Sequence, residues 1–238
     1  MSVFSLERDL EFSHTVVNDV GLPYNKALKM EGLEFLSHIS DNSIPVCFFD
    51  PQYRGIMDKM NYGNEGVRQK LRAKLEQMSE EVISEFIKRI HQVMIPSGHL
   101  FLWIDKFHLC EGFGDWLKNT SFRIVDLITW DKQKMGMGYR TRRQVEYLVV
   151  IQKEPQRAKG AWKKHDIPDV WSEKVKNSNH AHPKPIGLQK ELILATSNEN
   201  DIVLDPAAGT FSVMNAAIAT NRRFIGCDIS YGELYGIN

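Results

Sequence analysis

Two short apolar runs in this chain end in the same dipeptide. Ile44 to Phe49 (IPVCFF) runs into Asp50-Pro51, and DIVLD, which begins at Asp201, runs into Asp205-Pro206. Short apolar runs of this kind read as buried strands. Each one places an acid at the carboxyl end of a strand, which is where α/β sheets keep their ligands.

Three further runs extend the pattern: His99 to Ile104 (HLFLWI), Val145 to Ile151 (VEYLVVI) and Arg223 to Ile229 (RFIGCDI). Helical patterns lie between them. In EEVISEFIKRIHQVM, Val82, Ile83, Phe86, Ile87, Ile90 and Val93 recur at steps of three and four and form one apolar stripe. Glu80 and Glu81 suit the positive end of that helix, and Pro96 and Gly98 are expected to stop it before the next strand. Alternating strands and helices predict an α/β fold with a mostly parallel sheet. With 238 residues, 42% of them hydrophobic, the chain suits one domain, 1–238, better than two small ones.

Thirty basic and thirty acidic side chains balance, so any surface for a polyanion must come from local clustering. Cys47, Cys110 and Cys227 show no CxxC spacing, and His91, His99 and His108 no ligand spacing. Neither a disulfide framework nor a metal site is expected, and the thiols point to a reducing, cytoplasmic compartment. The first residues, MSVFSLERDLEF, carry acids where a signal peptide needs bases, and no apolar run reaches membrane-spanning length. A soluble protein without membrane contact is expected.

After Asp205-Pro206 come Ala207-Ala208-Gly209-Thr210, small residues that let a ligand approach the backbone, then the helical SVMNAAIATN. This is the layout of a cofactor loop, although without GxGxxG it is no dinucleotide phosphate cradle. Asp228 ends the next run, where a carboxylate can accept both hydroxyls of a ribose.

The motifs together resemble the DNA amino-methyltransferases, which methylate adenine N6 or cytosine N4 from S-adenosylmethionine. Asp50-Pro51-Gln52-Tyr53 matches three of four positions of the catalytic D/N/S-P-P-Y/F/W. Asp205-Pro206-Ala207-Ala208-Gly209-Thr210-Phe211-Ser212 aligns with the cofactor motif DPFxGSGT, and His180-Ala181-His182-Pro183-Lys184-Pro185 with HPTQKP. EGLEFLSHISDNSIPVCFFDPQY follows the family's approach to the catalytic strand, with Glu31 in its acidic position. The likeness covers about residues 28 to 230. The catalytic motif comes first and the cofactor loop last, which is the β-class order.

The resemblance implies a Rossmann-like S-adenosylmethionine-dependent methyltransferase fold, circularly permuted, with helices on both faces of the sheet. It implies cofactor contacts from Glu31, Asp50, His180, Lys184, Pro185, Asp205, Pro206, Ala207, Gly209, Thr210, Phe211 and Asp228. It also gives the catalytic motif a chemical meaning. The lone pair of an exocyclic amine is delocalised into the ring, and two acceptors, the Asp50 carboxylate and the Pro51 carbonyl, can each take one N–H and aim that pair at a methyl group. Tyr53 offers a face for a base flipped out of the duplex. Gln52 replaces the usual proline and loosens the turn while both acceptors survive. Phe211 stands where glycine is usual, either against the cofactor or filling a gap beneath it.

A target-recognition insertion is expected at about 131–180. It carries Lys132, Lys134, Tyr139, Arg140, Arg142, Arg143, Lys163 and Lys164 for DNA, together with tryptophans and amides suited to base edges. The segment from Met57 to Gln77 reads as a lid, a dimer contact or, preferably, a solvated helix face. The expected activity is adenine-N6 methylation of double-stranded DNA. Cytosine N4 is the alternative base, and a catalytically weakened DNA- or cofactor-binding module is the alternative class. A homodimer and a separately encoded restriction enzyme are the further partners weighed, in a bacterial or phage-infected host.

Overall fold

The computed structural model describes residues 21–52, 77–136, 140–174 and 184–234. The apolar runs form strands. They are β1 (Leu28–Lys29), β2 (Ile44–Phe49), β3 (Met94–Ile104), β4 (Phe122–Asp131), β5 (Val145–Lys153), β6 (Val170–Ser172), β7 (Ile202–Asp205), β8 (Arg223–Asp228) and β9 (Glu233–Leu234). They make one sheet in the order β6-β4-β5-β3-β2-β7-β8-β1-β9. Every neighbouring pair is parallel except the two that involve β5, so β5 alone runs against the rest.

The helices are α1 (Gly32–Ser37), α2 (Glu80–Val93), α3 (Lys106–Glu111), α4 (Ile186–Thr196) and α5 (Ser212–Ala219). Strand residues alternate between two apolar clusters, one on each face of the sheet. Cys47, Phe49, Leu102 and Leu204 pack with Phe35, Ile83, Phe86 and Ile87 of α1 and α2. Val46, Phe48, Phe101 and Val203 pack with Leu188, Leu192, Ile193, Val213 and Ala217 of α4 and α5. No described helix is long and apolar enough to cross a membrane.

Helix α2 follows its stripe. Ser79 caps it, accepting from the Val82 N–H at 3.3 Å, and Ile83, Phe86, Ile87, Ile90 and Val93 are buried. Val82 lies at the stripe's edge and stays 37% exposed. The stop differs from expectation. The helix ends at Val93 and Met94 is already extended, so Pro96 and Gly98 fall inside β3. There the pairing slips from Ile44↔Met94 to Val46↔His99, with Ser97 at φ 61°. An exposed proline that cannot donate to a ladder is tolerated at such a bulge.

Gly226 lies opposite Asp205 on the neighbouring strand. A Cβ there would meet the Asp205 carbonyl oxygen and the Phe224 ring, each at 2.4 Å. Gly226→Ala is expected to lower stability by about 1–3 kcal/mol, read as a shift in the denaturation midpoint.

Candidate active site

Strands β2 and β7, far apart in sequence, are neighbours, with Val46↔Val203 and Cys47↔Leu204. Asp50 and Asp205 therefore meet at the carboxyl edge of the sheet. Together with Trp103, Lys184, Gln189, Ala207, Ala208, Gly209, Thr210 and Ser212 they line a solvent-open cleft of about 370 Å³.

One wall of the cleft is the turn after β7. The Ala207 N–H donates to Asp205 Oδ1 at 3.2 Å, and Ala208 N–H to the Cys227 carbonyl at 2.9 Å. Burial pushes the Asp205 carboxyl well above the usual range, and the nearby charges of Asp50 and Asp228 add to this. Gly209 has φ 51°, and a Cβ on it would meet nothing within 4 Å, so open space lies beside this backbone. Its N–H donates to Asp228 Oδ2 at 3.0 Å, while Asp228 Oδ1 accepts from Ser230 N–H at 2.8 Å and Tyr231 N–H at 3.0 Å. The Asp228 carboxylate thus ties the Gly209 turn to the chain after β8. Phe211 adopts φ 58°, a left-handed conformation costly for a side chain. Its ring is buried edge-on to Phe224 at 6.2 Å and does not line the cleft, so it fills the gap beneath the loop.

The other wall is a chain of charges. Lys184 Nζ lies 3.0 Å from Asp50 Oδ2 and 3.0 Å from Glu146 Oε2, with its ammonium 4.5 Å from the centre of the Trp103 ring. Lys132 Nζ reaches the other oxygen of Glu146 at 3.2 Å. Among the described residues no other hydrogen bond reaches the Asp50 carboxylate. Gln52 departs from proline, yet its carbonyl accepts from the Met78 N–H at 2.8 Å, which anchors the turn after β2 through the backbone.

Glu146 did not emerge from the sequence as a site residue. It reaches the carboxyl edge because β5 is reversed, which puts the strand's first residues beside Trp130 and Asp131 at the end of β4. Burial alone would raise its carboxyl, but Lys184 and Lys132 outweigh that and pull it down to about 2. Lys184, which burial would push down, is held above its ordinary value by Asp50 and Glu146. A depressed carboxyl contributes stability above its unfolded value, here 4.5, and loses it as pH falls toward 2. Glu146→Gln should therefore cost about 1–2 kcal/mol at neutral pH, since the side chain is partly exposed, and the gap from wild type should start to narrow below pH 4.5 and close toward pH 2. Denaturant titrations across that range read it.

Glu31 and Pro185 stand at helix starts next to these elements: Met30, just before Glu31, donates its N–H to the Asp228 carbonyl at 3.2 Å, and Pro185 follows Lys184. Glu31 is exposed and caps α1, its Oε2 accepting from the Glu34 N–H at 2.8 Å. Pro185 caps α4, while the Glu173 carboxylate accepts from the N–H groups of Gly187 and Leu188 at 3.0 and 3.1 Å and fixes the helix start beside Lys184. Tyr53, Tyr139 and His180 lie outside the described residues, as does the segment from Met57 apart from Gln77.

Several side chains of the expected DNA-reading segment make contacts within the fold. Lys163 donates to the Ser197 carbonyl at 3.0 Å and to Asn198, and Lys164 pairs with Glu191. Trp162 packs on His99 at 5.6 Å, and Trp171 donates to Glu173 at 2.8 Å. Lys132 faces Glu146. Lys134, Arg140 and Arg142 are exposed and Arg143 is half-buried, all on the β4–β5 loop.

Comparison with known proteins agrees with this geometry. A family model described as DNA methylase matches residues 44–237. The chain is 57% identical over 211 residues, 88% of its length and 92% of the relative's, to the Type II methyltransferase M.HhaII of Haemophilus parahaemolyticus. Its fold resembles the M1.HpyAVI–SAM complex with a TM-score of 0.61 at 18% identity, covering 86% of this chain and 94% of that one. It also resembles the cytosine-N4-specific PvuII DNA methyltransferase with a TM-score of 0.65 at 15% identity, covering 88% and 86%.

Proposed function

The chain belongs to the DNA methylase family, and from that premise we propose that it transfers the methyl group of S-adenosylmethionine to N6 of adenine in double-stranded DNA. The observation that carries the reading is the convergence of Asp50 and the turn that runs from Asp205 to Ser212 on one cleft. The acid in the first position favours adenine over cytosine, because in the family that the motifs resemble aspartate accompanies adenine more often than serine does.

The cleft fits the cofactor. It offers open space at Gly209 and a buried amide, Gln189, with an unbonded oxygen, and next to it stands Asp228, bonded to Gly209, with a carboxylate suited to ribose hydroxyls. Bound there, S-adenosylmethionine supplies an electrophilic methyl group on a positively charged sulfur. Asp50 Oδ1 and the Pro51 carbonyl each accept one N–H of the target amine and direct its lone pair. Lys184, bonded to Oδ2, fixes the carboxylate's orientation, and Glu146 fixes Lys184 from the far side. Asp50 then accepts the proton the amine gives up. Tyr53 supplies the stacking face for the flipped base.

We assign target contacts to the β4–β5 loop within 132–144, where Lys134, Arg140, Arg142 and Arg143 provide cations for phosphates. Expression in a bacterial host without adenine methylation of its own tests the reading. Nucleosides from its DNA should gain N6-methyladenine, and N4-methylcytosine instead would assign the other base.

A further inference from the structure

Gln189 occupies a position in α4 that an apolar residue would fill without difficulty. Its neighbours Leu188, Leu192 and Ile193 are buried in the core, and Gln189 is itself only 1% exposed. Its Nε2 donates to Ser212 Oγ, at the first residue of α5, at 3.0 Å. Its Oε1 is buried with no hydrogen-bond partner. A buried acceptor without a donor costs free energy that leucine there would not incur. This side chain also lines the cleft together with Asp50, Asp205 and Gly209. A buried acceptor without a donor, on a side chain that lines a ligand cleft, is complementary to a donor that the ligand brings.

We infer that Gln189 reads the amino-acid end of S-adenosylmethionine, its Oε1 accepting a hydrogen bond from the α-ammonium group. This rests on the cofactor reading above and extends it to one residue and one group. The cofactor's donors are its adenine amine, two ribose hydroxyls and the ammonium. Asp228 stands on the β8 side of the Gly209 turn and suits the hydroxyls. Gln189 stands on the α4 side, bonded to the first residue of α5, whose positive end favours a carboxylate. An α-amino acid carries its ammonium on the same carbon as its carboxylate, so a carboxylate at the start of α5 brings the ammonium alongside Gln189.

Titration calorimetry on the full chain tests this with three ligands: S-adenosylmethionine, S-adenosylhomocysteine and methylthioadenosine. The last keeps the adenosine and sulfur but lacks the amino acid. Gln189→Leu should weaken the first two about tenfold, the loss of one hydrogen bond to a charged group, and leave methylthioadenosine unchanged. Gln189→Glu, which keeps an acceptor, should restore binding of the first two. Gln189→Met, of similar length, serves if leucine disturbs the packing, and thermal unfolding of each variant checks the fold. Equal weakening of all three ligands would overturn the inference, as would no weakening of any. Failure of wild type to bind any of the three would overturn the cofactor reading as well, so the two failures are distinguishable.

Discussion

Replacing Asp50 with alanine is expected to slow methyl transfer about a thousandfold, while the protein still folds and binds its cofactor with less than about a tenfold change. The size of the effect follows from what the carboxylate does. It accepts an amine N–H beside a developing positive charge, and positioned groups of this kind contribute about 10²–10⁴-fold. The fold should survive because, among the described residues, the Asp50 carboxylate bonds to Lys184 alone, and Lys184 has Glu146 as a second partner at 3.0 Å. Asp50→Asn should fall between, since an amide oxygen accepts but carries no charge and takes no proton. Single-turnover rates with the cofactor Kd measured alongside separate this from a structural role, which would move thermal stability and affinity together.

Asp228→Ala should show the opposite division. Its carboxylate holds three backbone N–H groups, those of Gly209, Ser230 and Tyr231, at 2.8 to 3.0 Å, and it stands where a ribose would be read. Bonds to a charged acceptor contribute about 1.5–3 kcal/mol each and are not additive, so the loss of the ribose contact together with a loosened Gly209 turn should raise the cofactor Kd about a hundredfold. The methyl-transfer rate at saturating cofactor should change less than about threefold, because Asp50 and its partners are untouched. A comparable loss in that saturated rate would mean that the turn also sets the position of the methyl group.

The motif strands were legible because their signals are local. IPVCFF and DIVLD are apolar runs ended by Asp-Pro, and the stripe of α2 repeats at helical spacing, so both survive without knowledge of the rest. Helix α5 was legible for the same reason. What failed was non-local. FRIVDLITWD forms β4 with Ile124 52% and Val125 40% exposed, so it lacks the uniform apolar run of a central strand and is not among the runs read as strands. The reversal of β5 leaves no mark on VEYLVVIQK, yet it alone brings Glu146 to the carboxyl edge. Lys163 and Lys164 look in sequence like phosphate ligands, and only the packing of α4 shows them engaged with Ser197, Asn198 and Glu191. Lys184, placed with the cofactor by its motif, lines the cleft, and its pairing with Asp50 and Glu146 is what the motif alone does not show. Pro96 was read as a helix stop and became a bulge, because a proline signals only where regular pairing fails, not which element fails.

The most direct measurement is transfer of labelled methyl from S-adenosylmethionine to unmethylated genomic DNA by the purified protein and by Asp50→Ala, with mass spectrometry of the product nucleosides. Label in N6-methyladenine with wild type and none with the variant is the predicted result. Label that persists undiminished in Asp50→Ala, or a wild-type protein that binds the cofactor and modifies no base, would contradict the account.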